Sequence, residues 1–195
     1  MSMRIIAGSA RGREILSVPK TMMVKPISGR MRQSLFDILR PIVTGSHFLD
    51  LFAGTGAVGL EALSRGAQRV VFVEKDGRCM KTIEKNLEKF EWLDKGKAFR
   101  ADVTEPLSWI PFRSGVEAFD LVFLGPPYRT EDNSPLALTN PVLLRIAEAK
   151  FLSPGGWVIA QHHKKENPGE APGLEAFRSA RYGDTVITFY RNLKP

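Results

Sequence analysis

Short apolar runs alternate with amphipathic segments along most of the chain after residue 46. Short apolar runs, such as the four residues 70–73, predict buried strands, whereas apolar residues spaced three and four apart predict helices. Strands and helices that alternate in this way are typical of an α/β fold with a mostly parallel sheet. The predicted strands are 47–51, 69–74, 97–101, 119–124 and 157–161, and the predicted helices are 57–65, 77–93 and 141–150.

Both ends of the chain depart from this alternation. Residues 177–182 and 185–190 flank Gly183-Asp184, which predicts a C-terminal antiparallel hairpin. Residues 4–7 and 13–16 flank a glycine-containing loop, which predicts a second hairpin at the N-terminus.

A helix is predicted after this hairpin, from a cap at Ser28 to about Leu39, with Pro41 ending it. Arg30 and Arg32 are expected on its surface. Its expected apolar stripe consists of Met31, Leu35, Ile38 and Leu39.

Positive charge is concentrated at the N-terminus. The chain has 195 residues and a net charge of +7, and its first forty residues contain eight basic and two acidic side chains. This segregation is typical of a segment that contacts phosphates, although a solvated basic surface gives the same pattern. We expect RNA contacts from Arg4, Arg11, Arg13, Lys25, Arg30 and Arg32.

The composition argues against several other classes of protein. No apolar run approaches the roughly 20 residues of a membrane span, and the N-terminus lacks the apolar core of a signal peptide. Cys79 is the only cysteine, so a disulfide framework is excluded. Neighbouring strand residues such as His162 and His163 point to opposite faces, so no metal site is expected there. We expect a cytoplasmic protein that is a monomer and has no membrane association.

The predicted strand ends carry glycines and acids. Gly54-x-Gly56-x-x-Gly59 follows the first core strand and formally matches the dinucleotide fingerprint. Asp50 argues against a pyrophosphate there, because the two charges would repel, whereas the cationic, phosphate-free S-adenosylmethionine would be favoured. Glu74 is placed for a ribose diol and Asp102 for an adenine amine.

A rigid aromatic turn, Gly125-Pro126-Pro127-Tyr128, follows the fourth predicted core strand. A nicotinamide enzyme has no evident use for two prolines and an aromatic residue there. Together with the acids, this turn resembles the motif series of Rossmann-like class I methyltransferases that modify base amines. The N-terminal blocks, including Arg11-Gly12-Arg13, and residues 60–67 are similar to the RsmD-like family, which methylates the exocyclic amine of a guanine in small-subunit ribosomal RNA.

This resemblance implies an N-terminal RNA-contacting extension, residues 1–45, and a methyltransferase domain, residues 46–195. It implies catalytic roles for Gly125, Pro126, Pro127 and Tyr128, and ribosomal RNA or the small ribosomal subunit as partner. The implied S-adenosylmethionine contacts are Asp50, Phe52, Ala53, Gly54, Thr55, Gly56, Glu74, Lys75, Asp102 and Val103.

Gly125 departs from the family, whose turn begins with Asp or Asn. That side chain accepts a hydrogen bond from the target amine, and Gly125 offers only its carbonyl. Loss of such a bond costs about 1.5–3 kcal/mol. The alternatives are a catalytically impaired S-adenosylmethionine- and RNA-binding protein, a methyltransferase acting on DNA or a small molecule, and a nicotinamide oxidoreductase.

Overall fold

The computed structural model describes residues 3–18, 27–130, 132 and 134–193. The chain divides into two compact units, with the boundary between residues 102 and 103. Unit 1 contains β1 (Met3–Arg4), β2 (Glu14–Ile15), α1 (Gly29–Val43), β3 (His47–Leu51), α2 (Ala57–Ser64), β4 (Arg69–Glu74), α3 (Gly77–Phe90) and β5 (Gly96–Arg100). Unit 2 contains α4 (Ile110–Ser114), β6 (Phe119–Leu124), α5 (Thr139–Ala149), β7 (Leu152–His163), β8 (Leu174–Tyr182) and β9 (Thr185–Asn192).

The three core strands of unit 1 are parallel and ordered β5-β4-β3. Helices α2 and α3 make the crossovers, as the alternating pattern predicts. Helix α3 packs through a face made mostly of apolar side chains, but it ends at Phe90, earlier than predicted, where Glu91 takes a left-handed backbone conformation. Because β3 and β4 are parallel, the loops after their last residues lie at the same edge of the sheet.

The N-terminal hairpin is confirmed, with strands of only two residues each. Leu16 donates its backbone N–H to Asn86 Oδ1 of α3 at 2.8 Å. Gly8 has a positive φ of 85°, and a Cβ placed on it would lie 1.8 Å from the carbonyl oxygen of Ser64, at the end of α2. The hairpin therefore packs against both α2 and α3, and glycine is required where the two backbones meet.

Helix α1 begins after Ser28, whose side chain accepts from the backbone N–H of Met31, as predicted. The prediction that Pro41 ends the helix is wrong, because α1 continues to Val43. Proline removes one intrahelical bond near the end of the helix, and burial of Val43 favours one further half-turn. The predicted stripe is also shifted: the buried positions are Arg32, Leu35, Phe36, Leu39 and Val43.

The strands of unit 2 are ordered β6-β7-β9-β8. Strands β6 and β7 are parallel, while β9 is antiparallel to both β7 and β8, which confirms the C-terminal hairpin. Strand β7 begins five residues before the predicted position, because residues 153–156 form a bulge between the Leu152 and Trp157 pairings rather than a turn outside the sheet. The five-residue helix α4 was not predicted.

The predicted Rossmann-like fold, with a mostly parallel sheet and a C-terminal antiparallel hairpin, is confirmed. The division into residues 1–45 and 46–195 stays a prediction. None of the helices in the described ranges combines the length and apolar character needed to cross a bilayer.

Candidate active site

The loop Phe52–Gly56, called the cofactor loop below, joins β3 to α2 through three residues with positive φ. These are Phe52 at 58°, Gly54 at 56° and Gly56 at 82°. A phenylalanine in this region is strained, and such strain persists where the surrounding structure enforces it, frequently at ligand sites. The backbone N–H of Gly56 donates to the carbonyl of Ala53 at 2.8 Å, which closes a tight turn in front of α2.

The last glycine of the motif, Gly59, has a packing role. A Cβ at Gly59 would lie 2.3 Å from Cε1 of Phe72 on β4, so only glycine lets α2 approach the sheet this closely. A Cβ at Gly56 would lie 3.1 Å from Cγ1 of Ile83 and would add to the strain of its positive φ. The spacing of glycines therefore serves both the loop and the helix packing.

Glu74 at the end of β4 holds the cofactor loop. Its Oε2 accepts from the backbone N–H of Gly54 at 2.8 Å, and its Oε1 accepts from that of Asp76 at 2.9 Å. Each carboxylate oxygen has a further lone pair, so hydroxyl groups of a ribose diol can still donate to it. The half-buried carboxylate fits a phosphate-free nucleoside at this edge of the sheet.

Asp50 is buried beneath the same loop, with 1% of its surface exposed. Its Oδ2 accepts from the backbone N–H of Gly59 at 2.9 Å, which ties β3 to α2. Burial raises the pKa of Asp50 to about 7, the charge of Glu74 adds to this shift, and the Gly59 hydrogen bond opposes it. A cation bound nearby would favour the charged form, which suits an ammonium or sulfonium group. Direct contact between Asp50 and the cofactor stays a prediction.

The remaining predicted cofactor residues differ in exposure. Lys75 Nζ lies 3.9 Å from Asp102 Oδ2 at the surface, where an ion pair contributes little to stability. Val103 is buried, and Thr55 is buried with a hydroxyl that has no hydrogen-bond partner within the described ranges. The backbone carbonyl of Thr55 accepts from Asn86 Nδ2 at 3.4 Å, so the loop is also held from α3. The carboxylates and bare backbone around the loop fit S-adenosylmethionine.

The turn Gly125–Tyr128, called the Pro-Pro turn below, follows β6 in unit 2. Pro126 is buried, Pro127 is exposed and Tyr128 is half-buried. The Tyr128 hydroxyl donates to Thr185 Oγ1 at 3.3 Å, and its ring lies edge-on to His163 at 5.8 Å between ring centroids. Burial raises the pKa of Tyr128, although hydrogen bonds with Thr185 and Gln161 oppose the shift, so the phenol stays neutral near pH 7.

Gly125 does not have a positive φ, so its backbone accepts an L side chain. The space for one is limited. A Cβ at this position would lie 3.0 Å from Cε1 of Phe123 and 3.9 Å from Nε2 of Gln161. A side chain here therefore requires the Phe123 ring to move by a few tenths of an ångström.

Most of the predicted RNA-binding arginines are exposed. Arg11 and Arg30 lie on the surface, and Arg4 donates from Nη1 to the carbonyl of Gly12 at 2.9 Å. Arg13 donates from Nη2 to the carbonyl of Lys89 at 2.7 Å while its guanidinium keeps an exposed position. Lys25 lies outside the described residues.

The predicted surface position of Arg32 is wrong, because only 2% of this residue is exposed. Its Nε lies 3.5 Å from Oε2 of Glu61, and its Nη2 donates to the carbonyl of Arg4. It falls on the same helical face as Leu35 and Leu39, three and seven positions further on, and this spacing indicates burial. A buried guanidinium cannot reach a phosphate, so Arg32 leaves the RNA-binding set.

Glu61 of α2 was missed by the sequence analysis and is fully buried. Its carboxylate accepts from the backbone N–H groups of Ile6 and Ala7 at 2.9 and 3.0 Å, and from Nε of Arg65 at 2.8 Å. With Arg32 it forms a charged cluster that fixes the N-terminal hairpin to α2 and α1. Glu61 is a single acidic residue within the otherwise apolar sequence of α2, and this pattern could have indicated a buried, paired carboxylate.

Two solved structures with the same fold are named a methylase and an RNA methyltransferase. A Haemophilus influenzae protein described provisionally as a methylase has 26% identity and a TM-score of 0.77, and the match covers 100% of both chains. An RNA methyltransferase from Salinibacter ruber, solved with S-adenosyl-L-homocysteine, has 16% identity and a TM-score of 0.64, covering 88% of this chain and 95% of that chain. The fold and the site define an S-adenosylmethionine-dependent methyltransferase.

Relatives in sequence narrow the class to one family. The profile of the family described as "Conserved hypothetical protein 95" matches residues 3–191. YlbH of Bacillus subtilis, which is only provisionally named an rRNA methyltransferase, is 32% identical over 97% of this chain and 98% of its own length. Ribosomal RNA small subunit methyltransferase D of Haemophilus influenzae is 32% identical over 83% of this chain and 79% of its own length. The chain belongs to the RsmD-like family of methyltransferases.

Proposed function

We propose that this protein methylates the exocyclic amino group of a guanine in small-subunit ribosomal RNA. S-adenosylmethionine supplies the methyl group. Several relatives of this chain carry the name ribosomal RNA small subunit methyltransferase D, which supports ribosomal RNA as the substrate class. We infer a soluble, cytoplasmic protein from this substrate.

The observation that carries the proposal is the Pro-Pro turn at the end of β6. Its Tyr128 ring is held by Thr185 and His163, and a half-buried, fixed aromatic ring is suited to stacking on a base taken out of the RNA helix. The carbonyl of Pro126 is a candidate acceptor for one hydrogen of the base amine. Such acceptors matter because the amine lone pair is delocalised into the ring of the base and must be localised for attack.

The proposed role of unit 1 is to bind the donor and the RNA backbone. Glu74 would hold the ribose hydroxyls, and the backbone of the cofactor loop would lie against the amino acid part of the donor. The exposed arginines at positions 4, 11, 13 and 30 supply positive charge for phosphates. Holding both reactants in one geometry supplies much of the rate enhancement.

Gly125 favours one alternative function, a protein that binds S-adenosylmethionine and RNA but transfers methyl groups slowly or not at all. The missing side chain removes an acceptor that the family provides. If nothing replaces it, the expected loss is about ten- to a hundredfold in rate.

Incubation with radiolabelled S-adenosylmethionine and unmethylated small-subunit ribosomal RNA, both free and in assembled subunits, tests the proposal. We expect label in N2-methylguanosine at one nucleotide, identified by nuclease digestion and mass spectrometry. Glu74→Ala serves as the control, since it should lose cofactor binding in calorimetry and incorporate no label. Cofactor binding without incorporation by the unmodified protein would favour the impaired alternative, and preferential labelling of DNA would contradict ribosomal RNA as substrate.

A further inference from the structure

Gln161 of β7 lies beside the position where this chain lacks the family's acidic or amide side chain. Leu124, the residue before Gly125, pairs with Ala160 in the sheet, so Gln161 follows directly on the neighbouring strand. Its Nε2 lies 3.9 Å from the point that a Cβ of residue 125 would occupy. All of these residues belong to unit 2.

The side-chain oxygen of Gln161 is buried and has no hydrogen-bond partner among the residues that the structure describes. A buried acceptor without a partner costs about 1–3 kcal/mol, so such an atom calls for a specific explanation. Gln161 is also one of the polar groups that lower the pKa of the Tyr128 hydroxyl against the effect of burial, so its amide is near the proposed stacking ring. The Gln161 amide therefore has its Nε2 beside position 125, and its unpartnered oxygen belongs to the same rotatable group.

We propose that the side-chain oxygen of Gln161 accepts a hydrogen bond from the target base amine, in place of the side chain missing at position 125. This inference rests on the proposed function. The last torsion of glutamine is soft and roughly twofold, so a half-turn about it brings the oxygen to the place where Nε2 now faces Gly125. Gln161 is thereby a catalytic residue that the Pro-Pro motif itself does not include.

The step balances without any further reactant. The bond from the amine nitrogen to the methyl carbon forms as the sulfur–methyl bond of the donor breaks, and S-adenosylhomocysteine leaves. The methylated amine then releases its extra proton to solvent. Gln161 holds one amine hydrogen throughout, keeps the nitrogen lone pair directed at the methyl group, and takes up no proton.

A double-substitution cycle tests the inference, with kcat, KM for ribosomal RNA and the Kd for S-adenosylmethionine measured for each variant. Gln161→Met keeps the volume but removes the acceptor, and we expect kcat to fall about tenfold or more with KM and Kd unchanged. Gln161→Glu keeps an acceptor and should retain most of the activity. In a Gly125→Asp background the new carboxylate replaces the acceptor, so adding Gln161→Met should lower kcat by less than about threefold.

Thr185→Val is the matched comparison, because it removes another polar contact of Tyr128 and leaves Gln161 in place. Equal losses for Thr185→Val and Gln161→Met would mean that Gln161 acts only through Tyr128, and would overturn the inference. Gln161→Leu repeats the test if the methionine variant melts below the assay temperature. If the parent protein is active and Gln161→Met does not lower kcat, this inference is overturned and the proposed function stands. If the parent protein is inactive, the proposed function is overturned as well.

Discussion

At the scale of single residues, Asp50 combines two demands that conflict. It must lie under the cofactor loop to accept from Gly59, and this position removes it from water. The resulting pKa of about 7 means that the carboxyl group is roughly half charged at neutral pH. The free protein therefore holds, at physiological pH, a group whose charge responds to small changes in its surroundings.

The pH dependence of stability should reveal this group. Its folded-state pKa lies above the ordinary value of 3.8, so its stabilising contribution is full below about pH 4 and is lost as pH rises through 7. We expect the melting temperature of the free protein to fall between pH 5 and 8 more steeply than that of Asp50→Asn, which keeps an acceptor for Gly59.

Asp76→Asn is the control for this measurement. Arg78 lowers the pKa of Asp76 to about 2, so its stabilising contribution is present above pH 4 and constant from pH 5 to 8. Its pH slope in that window should match the slope of the parent protein. Equal slopes for the parent and Asp50→Asn would contradict a raised pKa at position 50.

Residue identity in the cofactor loop was predictable, but the hydrogen bonding was not. The sequence locates Asp50, the glycines and Glu74 at strand ends because apolar strands and turn residues are strong local signals. The backbone N–H groups that bond to Glu61 belong to Ile6 and Ala7, more than fifty positions earlier, and Gln161 lies beside Gly125 on a neighbouring strand. Such long-range contacts leave no local periodicity, so both residues were missed.

At the scale of elements, helix α2 has eight residues and joins three parts of unit 1. Gly59 holds Asp50 of β3, Glu61 holds the N-terminal hairpin and α1, and the Ser64 hydroxyl accepts from the backbone of Ala10 at 3.0 Å. So short a helix is not stable by itself, and tertiary contacts must supply its stability. The buried charges of the Glu61 cluster are stabilising only while they remain paired.

Glu61→Gln should therefore destabilise the protein by about 3–5 kcal/mol, because it leaves Arg32 buried without a carboxylate. Urea unfolding measures the loss, and faster hydrogen exchange at the amides of Ile6 and Ala7 would localise it to the hairpin. Glu148→Gln is the control, since Glu148 is exposed and forms an ion pair with Arg145 at the surface, so its cost should stay below about 1 kcal/mol. Similar costs for the two variants would show that the buried cluster is not required.

The bounds of strands and helices are predictable where the local sequence has one clear pattern. Strands β4 and β6 have the predicted bounds because their continuous apolar runs are bordered by polar residues and turns. Helix α1 continues past Pro41 because burial of Val43 stabilises its last residues by more than the missing proline hydrogen bond destabilises them. Helix α4 is one turn and a half long, which is too short to produce a periodic pattern.

At the scale of the whole molecule, the net charge and its uneven distribution determine how strongly the protein attracts a polyanion such as RNA. The first forty residues carry most of the excess positive charge, and the hairpin that presents several of these side chains is fixed in place. A fixed array of cations loses little conformational entropy when it binds phosphates. We therefore expect RNA affinity to depend strongly on salt.

Removing exposed arginines should reduce that dependence. For Arg11→Ala and Arg30→Ala we expect the slope of log K against log salt to decrease in magnitude by about 0.7–0.9 for each phosphate that the variant no longer neutralises. Fluorescence anisotropy with a small-subunit RNA fragment, titrated from low to high salt, measures the slopes. Lys150→Ala, at an exposed position outside the N-terminal segment, is the control. An unchanged slope in both variants would remove Arg11 of the hairpin and Arg30 of α1 from the RNA interface.

The docking of the N-terminal hairpin also has a consequence for the order of folding. Ala10, Leu16 and Arg13 bond to residues that follow them by 54, 70 and 76 positions. During translation the hairpin is made first, yet its docking surface is complete only when α3 has left the ribosome. The N-terminal hairpin can therefore complete its docking only after α3 has been synthesised.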